Sequence, residues 1–309
     1  IDEMYTYFKN IVKFWIKEFG IDGFRCDVAY RVPLDFWKQC IIEAREAAKD
    51  FADRNGSVDG DVVFIAESYY VMMPELLKAG FTACYGDYSN KLGSVPMLAG
   101  YLDYMYNISG DYFPQGADWF IFPECHDFHR TPTKVASQHR DEHADADLNA
   151  NKSRWTLTAT LPGIPMIFNG FEKIEWQPAN LFSYSSVDWE SDKDITDHIK
   201  KVNLIRRSEK ALQSGAYQFI PTREGVTDKA KIFCYARMLN KECIIVVVNL
   251  DVVHSFGTQL HLPGSLPFDT SREYVLRDLY SGKEFRRKGK EFTVLLDAGD
   301  AHIFKVMQD

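Results

Sequence analysis

The chain changes its hydrophobic period once. As far as about residue 212, helical stretches with apolar residues every three or four positions alternate with short β-rich runs, and from residue 213 onward only short strands remain. The helical stretches include "YTYFKNIVKFWIKEF", stopped by Gly20, the Ala- and Glu-rich "LDFWKQCIIEAREAAKDFADR", "PELLKAG", "VPMLAGYLDYMYNI", "KSRWTLTATL" and "DITDHIKKVNLIRRSEKAL". Between them lie the runs "GFRCDVA", "DVVFIAES", "FTACYGD", "DWFIFPECHD" and "IPMIFNG". Five strands separated by helices predict a parallel α/β sheet built from βαβ units over residues 1–212. The runs "AYQFIP", "KIFCYARML", "ECIIVVVNL", "GTQLHL", "REYVLRDLY", "EFTVLLDA" and "AHIFKV", separated by turns such as "LPGS" and "YSGKE", predict an antiparallel β-sandwich domain over residues 213–309.

Several classes of function are disfavoured by composition. With 36 basic against 44 acidic residues the formal charge is -8, and no basic cluster stands out, so a nucleic-acid partner has no electrostatic support. No apolar run approaches the roughly 20 residues that span a bilayer, so no membrane is expected. The cysteines, Cys26, Cys40, Cys84, Cys125, Cys234 and Cys243, show neither zinc spacing nor a disulfide framework. Several lie in apolar runs as free buried thiols do, which points to a reducing, cytoplasmic type of compartment. The polar segment "SQHRDEHADADLNANKSR" carries His and Asp at irregular spacing and reads as a solvated loop rather than a metal site.

The charged residues inside the strand runs carry the chemistry. Asp27 closes "GFRCD", Glu67 closes "FIAE", and Asp127 closes "FPECHD". A single Asp in such a place is ordinarily a turn former or a helix cap. In parallel α/β folds, however, ligands collect at the carboxyl ends of the strands, so three carboxylates there are expected to converge on one face. Arg25 precedes Asp27 by two positions and His126 adjoins Asp127, whereas Glu67 follows an apolar run. That contrast predicts a charged Asp27 and a more readily protonated Glu67, the division of labour that an acid and nucleophile pair requires.

Together, "GFRCDVAY", "FIAES", "FPECHD" and "LPGIPMIFNGFE" resemble, in order, the later sequence blocks of the α-amylase family, glycoside hydrolase family 13. The resemblance implies a (β/α)8 TIM barrel, of which this chain holds about strands 4 to 8, followed by a β-sandwich. It implies a retaining glycoside hydrolase acting on α-glucans such as starch or maltodextrin through a covalent glycosyl-aspartate. Asp27 would be the nucleophile and Glu67 the general acid and then base. Asp127 would hold substrate hydroxyls and favour the distorted ring, with Arg25 and His126 as substrate-binding companions. Tyr69, Tyr70, Trp37 and Trp176 are candidate stacking platforms. An α-glucan transglycosylase uses the same intermediate and is the alternative, and a non-catalytic carbohydrate-binding relative is a third reading, against which the intact carboxylate trio stands.

The chain departs from the family pattern at named positions. Cys125 stands where the family usually has Asn, which bears on a polar contact near the rim, and Tyr30 with Arg31 stands where a Lys-His pair is frequent, which puts a substrate contact and a backbone calcium ligand in question. Calcium therefore stays a possible cofactor with no metal ligand assigned. The blocks for the first three barrel strands are not in this sequence. Five strands do not close a barrel, and an open parallel edge invites pairing. An additional N-terminal barrel segment, in the same polypeptide or as a companion chain, is accordingly expected. Intact mass and gel filtration of active material are the check: the expected species exceeds 35.6 kDa, and a fully active 35.6 kDa monomer would contradict the expectation.

Overall fold

A computed structural model describes residues 2–55, 60–68, 72–86, 88–105, 118–139 and 144–308. The chain divides into two compact units, Ile1–Asp87 with Tyr104–Phe120, and Tyr88–Asp103 with Ile121–Asp309.

The first unit opens with α1 (Asp2–Phe19), acidic in its first turn and basic in its last, as the helix dipole favours. It stops where expected: Gly20 takes φ +65°, its amide bonds Ile16 O at 2.9 Å, and any Cβ there would stand 2.7 Å from the Phe51 ring. The strand β1 (Gly23–Cys26) follows, then α2 (Leu34–Asn55), β2 (Val63–Glu67), α3 (Met73–Lys78) and β3 (Ala83–Tyr85). Next in chain order come α4 (Val95–Asp103) and β4 (Asp118–Ile121). The buried face of α2 is Phe36, Trp37, Cys40, Ile41, Ala44, Ala47, Ala48 and Ala52, a stripe at helical spacing. Glu43 on α2 ties α1 down through Lys9 at 2.6 Å and Lys13 at 2.7 Å. Parallel pairing runs β1 to β2, β2 to β3 and β3 to β4, in the registers Gly23↔Val63, Ile65↔Ala83 and Ala83↔Asp118.

The second unit holds α4, α5 (Thr131–His139), α6 (Ala146–Thr160), β5 (Ile164–Pro165), α7 (Thr196–Ser208), α8 (Lys210–Ser214) and the antiparallel strands. Just past β5, the Met166 amide bonds Ile121 O at 2.9 Å, so all five expected parallel strand segments are present. Six strands form one sheet in the order β11 (Glu284–Arg287), β10 (Tyr274–Asp278), β13 (Ala301–Met307), β8 (Glu242–Asn249), β7 (Ile232–Leu239), β6 (Ala216–Phe219). β12 (Glu291–Leu296) and β9 (Phe256–His261) form a second sheet. Residues of both sheets share one core, in which Cys243, Ile245 and Val247 meet Leu260, Phe292 and Val294. The intervening Ile244, Val246 and Val248 are equally buried, because α6 and α8 cover the other face of β8. That double cover explains the unbroken "CIIVVV" run. Arg237, 1% exposed, ties this face together by donating to Thr160 O and Gly215 O.

Three sequence expectations are corrected. The segment read as a solvated loop is helical from Ala146 onward, and its beginning completes α5. Ala146 and Ala150 pack against Val135, Asn151 bonds Phe171 O, and Asp147 pairs with Lys193 at 2.6 Å, so polar residues here are buried with partners. The long closing helix is broken at Glu209, which is extended between α7 and α8 and held by Lys305 at 2.7 Å. β11 lies where the sequence suggests only a turn, because its charged residues are those of a protected edge strand. Among the described residues no helix is long and apolar enough to cross a membrane, and all six cysteines are buried and outside any disulfide.

His198 on α7 generates a pH prediction. Its Nδ1 lies 3.0 Å from Tyr280 Oη and its Nε2 is 3.1 Å from Lys152 O. Burial, with Lys152 and Lys201 nearby, pulls its pKa from 6.5 down to about 4. The unfolded chain therefore binds more protons than the native one between those values, so this contribution is intact above pH 6.5 and is lost as pH falls towards about 4. Urea unfolding across that range is expected to show stability falling with acid, and His198→Gln is expected to flatten the slope.

Candidate active site

The strand register builds one group of the expected residues. Arg25 pairs with Ile65 and Cys26 with Ala66, so one further step sets Asp27 level with Glu67. Glu67 in turn pairs with Tyr85. Three neighbouring strands thus bring Asp27, Glu67 and Tyr85 to one level at their carboxyl ends. Arg25 lies two residues back on the face that Asp27 shares. Its guanidinium donates from Nη1 to Asp27 Oδ1 at 2.5 Å, from Nη2 to Glu67 Oε2 at 2.9 Å, and from Nε to Tyr85 Oη at 2.7 Å. Burial opposes the Arg25 charge, but the bonds to Tyr85 and Asp27 outweigh it and raise the pKa above its ordinary value. Arg25 is therefore a fixed cation under both carboxylates.

The turn after Asp27 supplies one more donor. Val28 takes φ 43° and ψ 41°, a left-handed conformation that a β-branched residue adopts at a cost of about 1–3 kcal/mol. In this conformation its amide donates to Glu67 Oε2 at 2.9 Å. Oε2 is thus taken by Arg25 and Val28. The Asp27 side chain is 73% exposed and that of Glu67 26% exposed, so Asp27 is the more accessible of the two while Glu67 is largely covered. The contrast expected from sequence, a paired Asp27 beside an unpaired Glu67, is corrected: Arg25 bonds both.

A second group lies on the loop after β4. Asp127 stands beyond the strand end at Ile121, so it does not itself close a strand. Glu124 shapes this loop, fully buried, with Oε1 accepting from Arg130 Nη1 at 2.8 Å and Oε2 from the Thr131 amide at 2.6 Å. Arg130 also donates to Asn169 O and Gln177 O. Between these anchors Cys125 is buried, and His126 Nε2 lies 3.3 Å from Asp127 Oδ2. His126 and Asp127 open into a cleft of about 700 Å³ that Gln177, Asn180, Phe182 and Tyr184 also line.

Phe182 and Tyr184 are 96% and 91% exposed, and sequence reasoning missed them. Two aromatics in the Ser-rich loop "NLFSYSS", outside any helical or strand period, were the available signal. Trp37 is corrected from a stacking platform to core: it is 8% exposed, bonded to Ala29 O and packed on Phe36 and Phe81. Trp176 is 41% exposed, and Tyr69 and Tyr70 lie outside the described residues. Among the described residues, ligand atoms close enough for a metal occur together at Cys125, His126 and Asp127. A thiol, an imidazole and one carboxylate do not suit calcium, which takes six to eight oxygens. Arg31, at the position where a calcium ligand was in question, lies over the Tyr30 ring.

The family described as GLGE, C-terminal, matches residues 225–306. An α-1,4-glucan:maltose-1-phosphate maltosyltransferase of Picrophilus torridus is 28% identical over 98% of this chain and 45% of its own length. A cyclomaltodextrinase of Geobacillus thermopakistaniensis is 22% identical over 95% of this chain and 46% of its own. The chain thus spans about half the length of the curated relatives it matches. Among solved structures, an Anoxybacillus α-amylase superposes with a TM-score of 0.78 at 22% identity, covering all of this chain and 64% of that one. The fold is the later part of an α-amylase-type barrel followed by an antiparallel β domain.

Arg25→Lys isolates the fork geometry. A single ammonium keeps the charge but does not reproduce three bonds to Asp27, Glu67 and Tyr85. Any reaction run by this carboxylate pair is expected to slow about a hundredfold, with the melting temperature little changed. Steady-state rates and a thermal melt check both.

Proposed function

Taking the chain as one of the α-amylase family, we propose that it performs retaining chemistry on α-glucans, with transfer to a sugar acceptor favoured over hydrolysis. The observation that carries the reading is the Arg25 fork under Asp27 and Glu67. The bond from Arg25 favours the Asp27 carboxylate, which attacks the anomeric carbon. Glu67 gives its proton to the departing oxygen, and the bond between that oxygen and the anomeric carbon breaks as the glycosyl-aspartate forms. Because Arg25 and Val28 occupy Oε2, the transferable proton belongs on Oε1. In the second step the Glu67 carboxylate takes a proton from the acceptor hydroxyl, which displaces Asp27 and restores the α configuration. By the family resemblance Asp127 and His126 would hold sugar hydroxyls, with Phe182 and Tyr184 as stacking faces of the same cleft.

Transfer is favoured by the relatives: several are α-1,4-glucan:maltose-1-phosphate maltosyltransferases, among them those of Picrophilus torridus and Rhodospirillum rubrum. Hydrolysis is the second reading, supported by the cyclomaltodextrinase and by a maltogenic α-amylase of Bacillus acidopullulyticus. The reading also includes a further barrel segment packed along β1. It is supported by the groove of about 460 Å³ beside that strand, lined by Met4, Phe8, Phe24, Val32 and Phe36, and by Tyr7, Phe14 and Phe19 of α1, each half or more exposed.

Incubation with a malto-oligosaccharide, with and without maltose 1-phosphate, separates the two readings. Chain lengthening by maltosyl units with the donor present is the expected result, and reducing-sugar release alone would favour hydrolysis. Asp27→Asn and Glu67→Gln are each expected to slow turnover about a hundredfold or more with the fold retained. A loss below about tenfold in either, or a first-formed β anomer by proton NMR, would sink the assignment.

A further inference from the structure

Apart from the carboxylate chemistry, the second unit holds a pocket of about 550 Å³ that no sugar-directed role accounts for. Ser89, Asn90, Ser94, Thr133, Lys134 and Arg154 line it, with His129 at its side, and among the described residues no carboxylate lines it. Arg154 Nη1 is buried without a hydrogen-bond partner. The Ser89 hydroxyl is also buried and unpartnered, in a residue only 3% exposed. Lys134 Nζ donates to Asn90 Oδ1 at 3.2 Å and lies over the Phe128 ring. Gly93, Ser94 and Met97 place the first turn of α4 against the same space, adding the positive end of a helix dipole.

Burial pushes Lys134 down to about 8, and the charge of Arg154 adds to the effect. Burial likewise draws Arg154 down to about 10. Among the described residues Glu124 is a carboxylate that both cations feel, but its oxygens already serve Arg130 and the Thr131 amide. Arg154 Nη1 and the Ser89 hydroxyl, both covered and without a hydrogen-bond partner, are costly to leave so unless a ligand with oxygen acceptors completes them.

We propose that this pocket binds a small oxyanion, a phosphoryl group, between Arg154, Lys134 and the Ser89 hydroxyl. Tetrahedral oxygens match a guanidinium fork, an ammonium and a hydroxyl donor at once. The site stands independently of the glucan reading, so its test is binding rather than turnover. Calorimetric titration of the protein with inorganic phosphate, and separately with glucose 1-phosphate, is run at ionic strength matched with chloride. Saturable binding of phosphate is expected. Lys134→Gln and Arg154→Met are each expected to weaken it about tenfold or more, and Ser89→Ala to weaken it measurably, while the exposed Lys288→Met leaves it unchanged.

Because Arg154→Met removes a covered side chain, Lys134→Gln and Ser89→Ala carry the assignment if that variant does not fold. Equal affinity for both probes would assign the site to the phosphoryl group alone. Tighter binding of glucose 1-phosphate would assign it to a sugar phosphomonoester. No saturable binding of either, or affinity unaltered in both Lys134→Gln and Ser89→Ala, would overturn the proposal.

Discussion

A guanidinium set inside a β-strand is the constraint from which the site follows. Arg25 joins residues of three strands, Asp27 just past β1, Glu67 ending β2 and Tyr85 ending β3. A slip of one residue in either register would turn Arg25 or Glu67 to the other face of the sheet and break the fork. Burying the aromatic and alanine face of α2 therefore does more than stabilise the first unit, because the sheet it helps to form fixes the rung on which the carboxylates sit. The left-handed Val28 belongs to the same arrangement. A turn in an ordinary conformation would aim its amide elsewhere and leave Glu67 Oε2 with Arg25 as its only donor among the described residues.

The loop bearing His126 and Asp127 is held by a different device. Glu124 and Arg130 form a buried ion pair whose remaining hydrogen-bonding capacity is used on the Thr131 amide and the carbonyls of Asn169 and Gln177. A buried pair of this kind adds little net stability over an apolar substitute, but removing one partner leaves an uncompensated charge at a cost of about 3–5 kcal/mol. Its value is positional: it fixes both ends of the loop on which Cys125, His126 and Asp127 are carried.

Much of this was legible in the sequence because it lies in period and punctuation. All five parallel segments and seven of the antiparallel strands were marked by β-rich runs between turns, and the α1 stop by Gly20. The pairing of Asp27 with Arg25 was legible because both lie on one strand face. What was not legible depends on long-range partners. Tyr85 looks like any strand aromatic until the register sets it beside Glu67. Glu124 and Arg130 look like loop charges until burial pairs them. The start of α6 was hidden because its polar residues are satisfied by Lys193 and Phe171, which are distant in sequence. Trp37 failed as a platform for the same reason, since packing on Phe81 decides its burial.

The central claim is that Asp27 forms a bond to sugar while Arg25 holds it beside Glu67. The most direct measurement is mass spectrometry of peptides from protein treated with a fluorinated glucosyl or maltosyl fluoride, an analogue that forms a glycosyl-enzyme and turns over slowly. The account predicts a single added glycosyl mass on the peptide containing Asp27, absent from Asp27→Asn. An adduct on any other carboxylate, or none under conditions where the protein acts on its substrate, would contradict it.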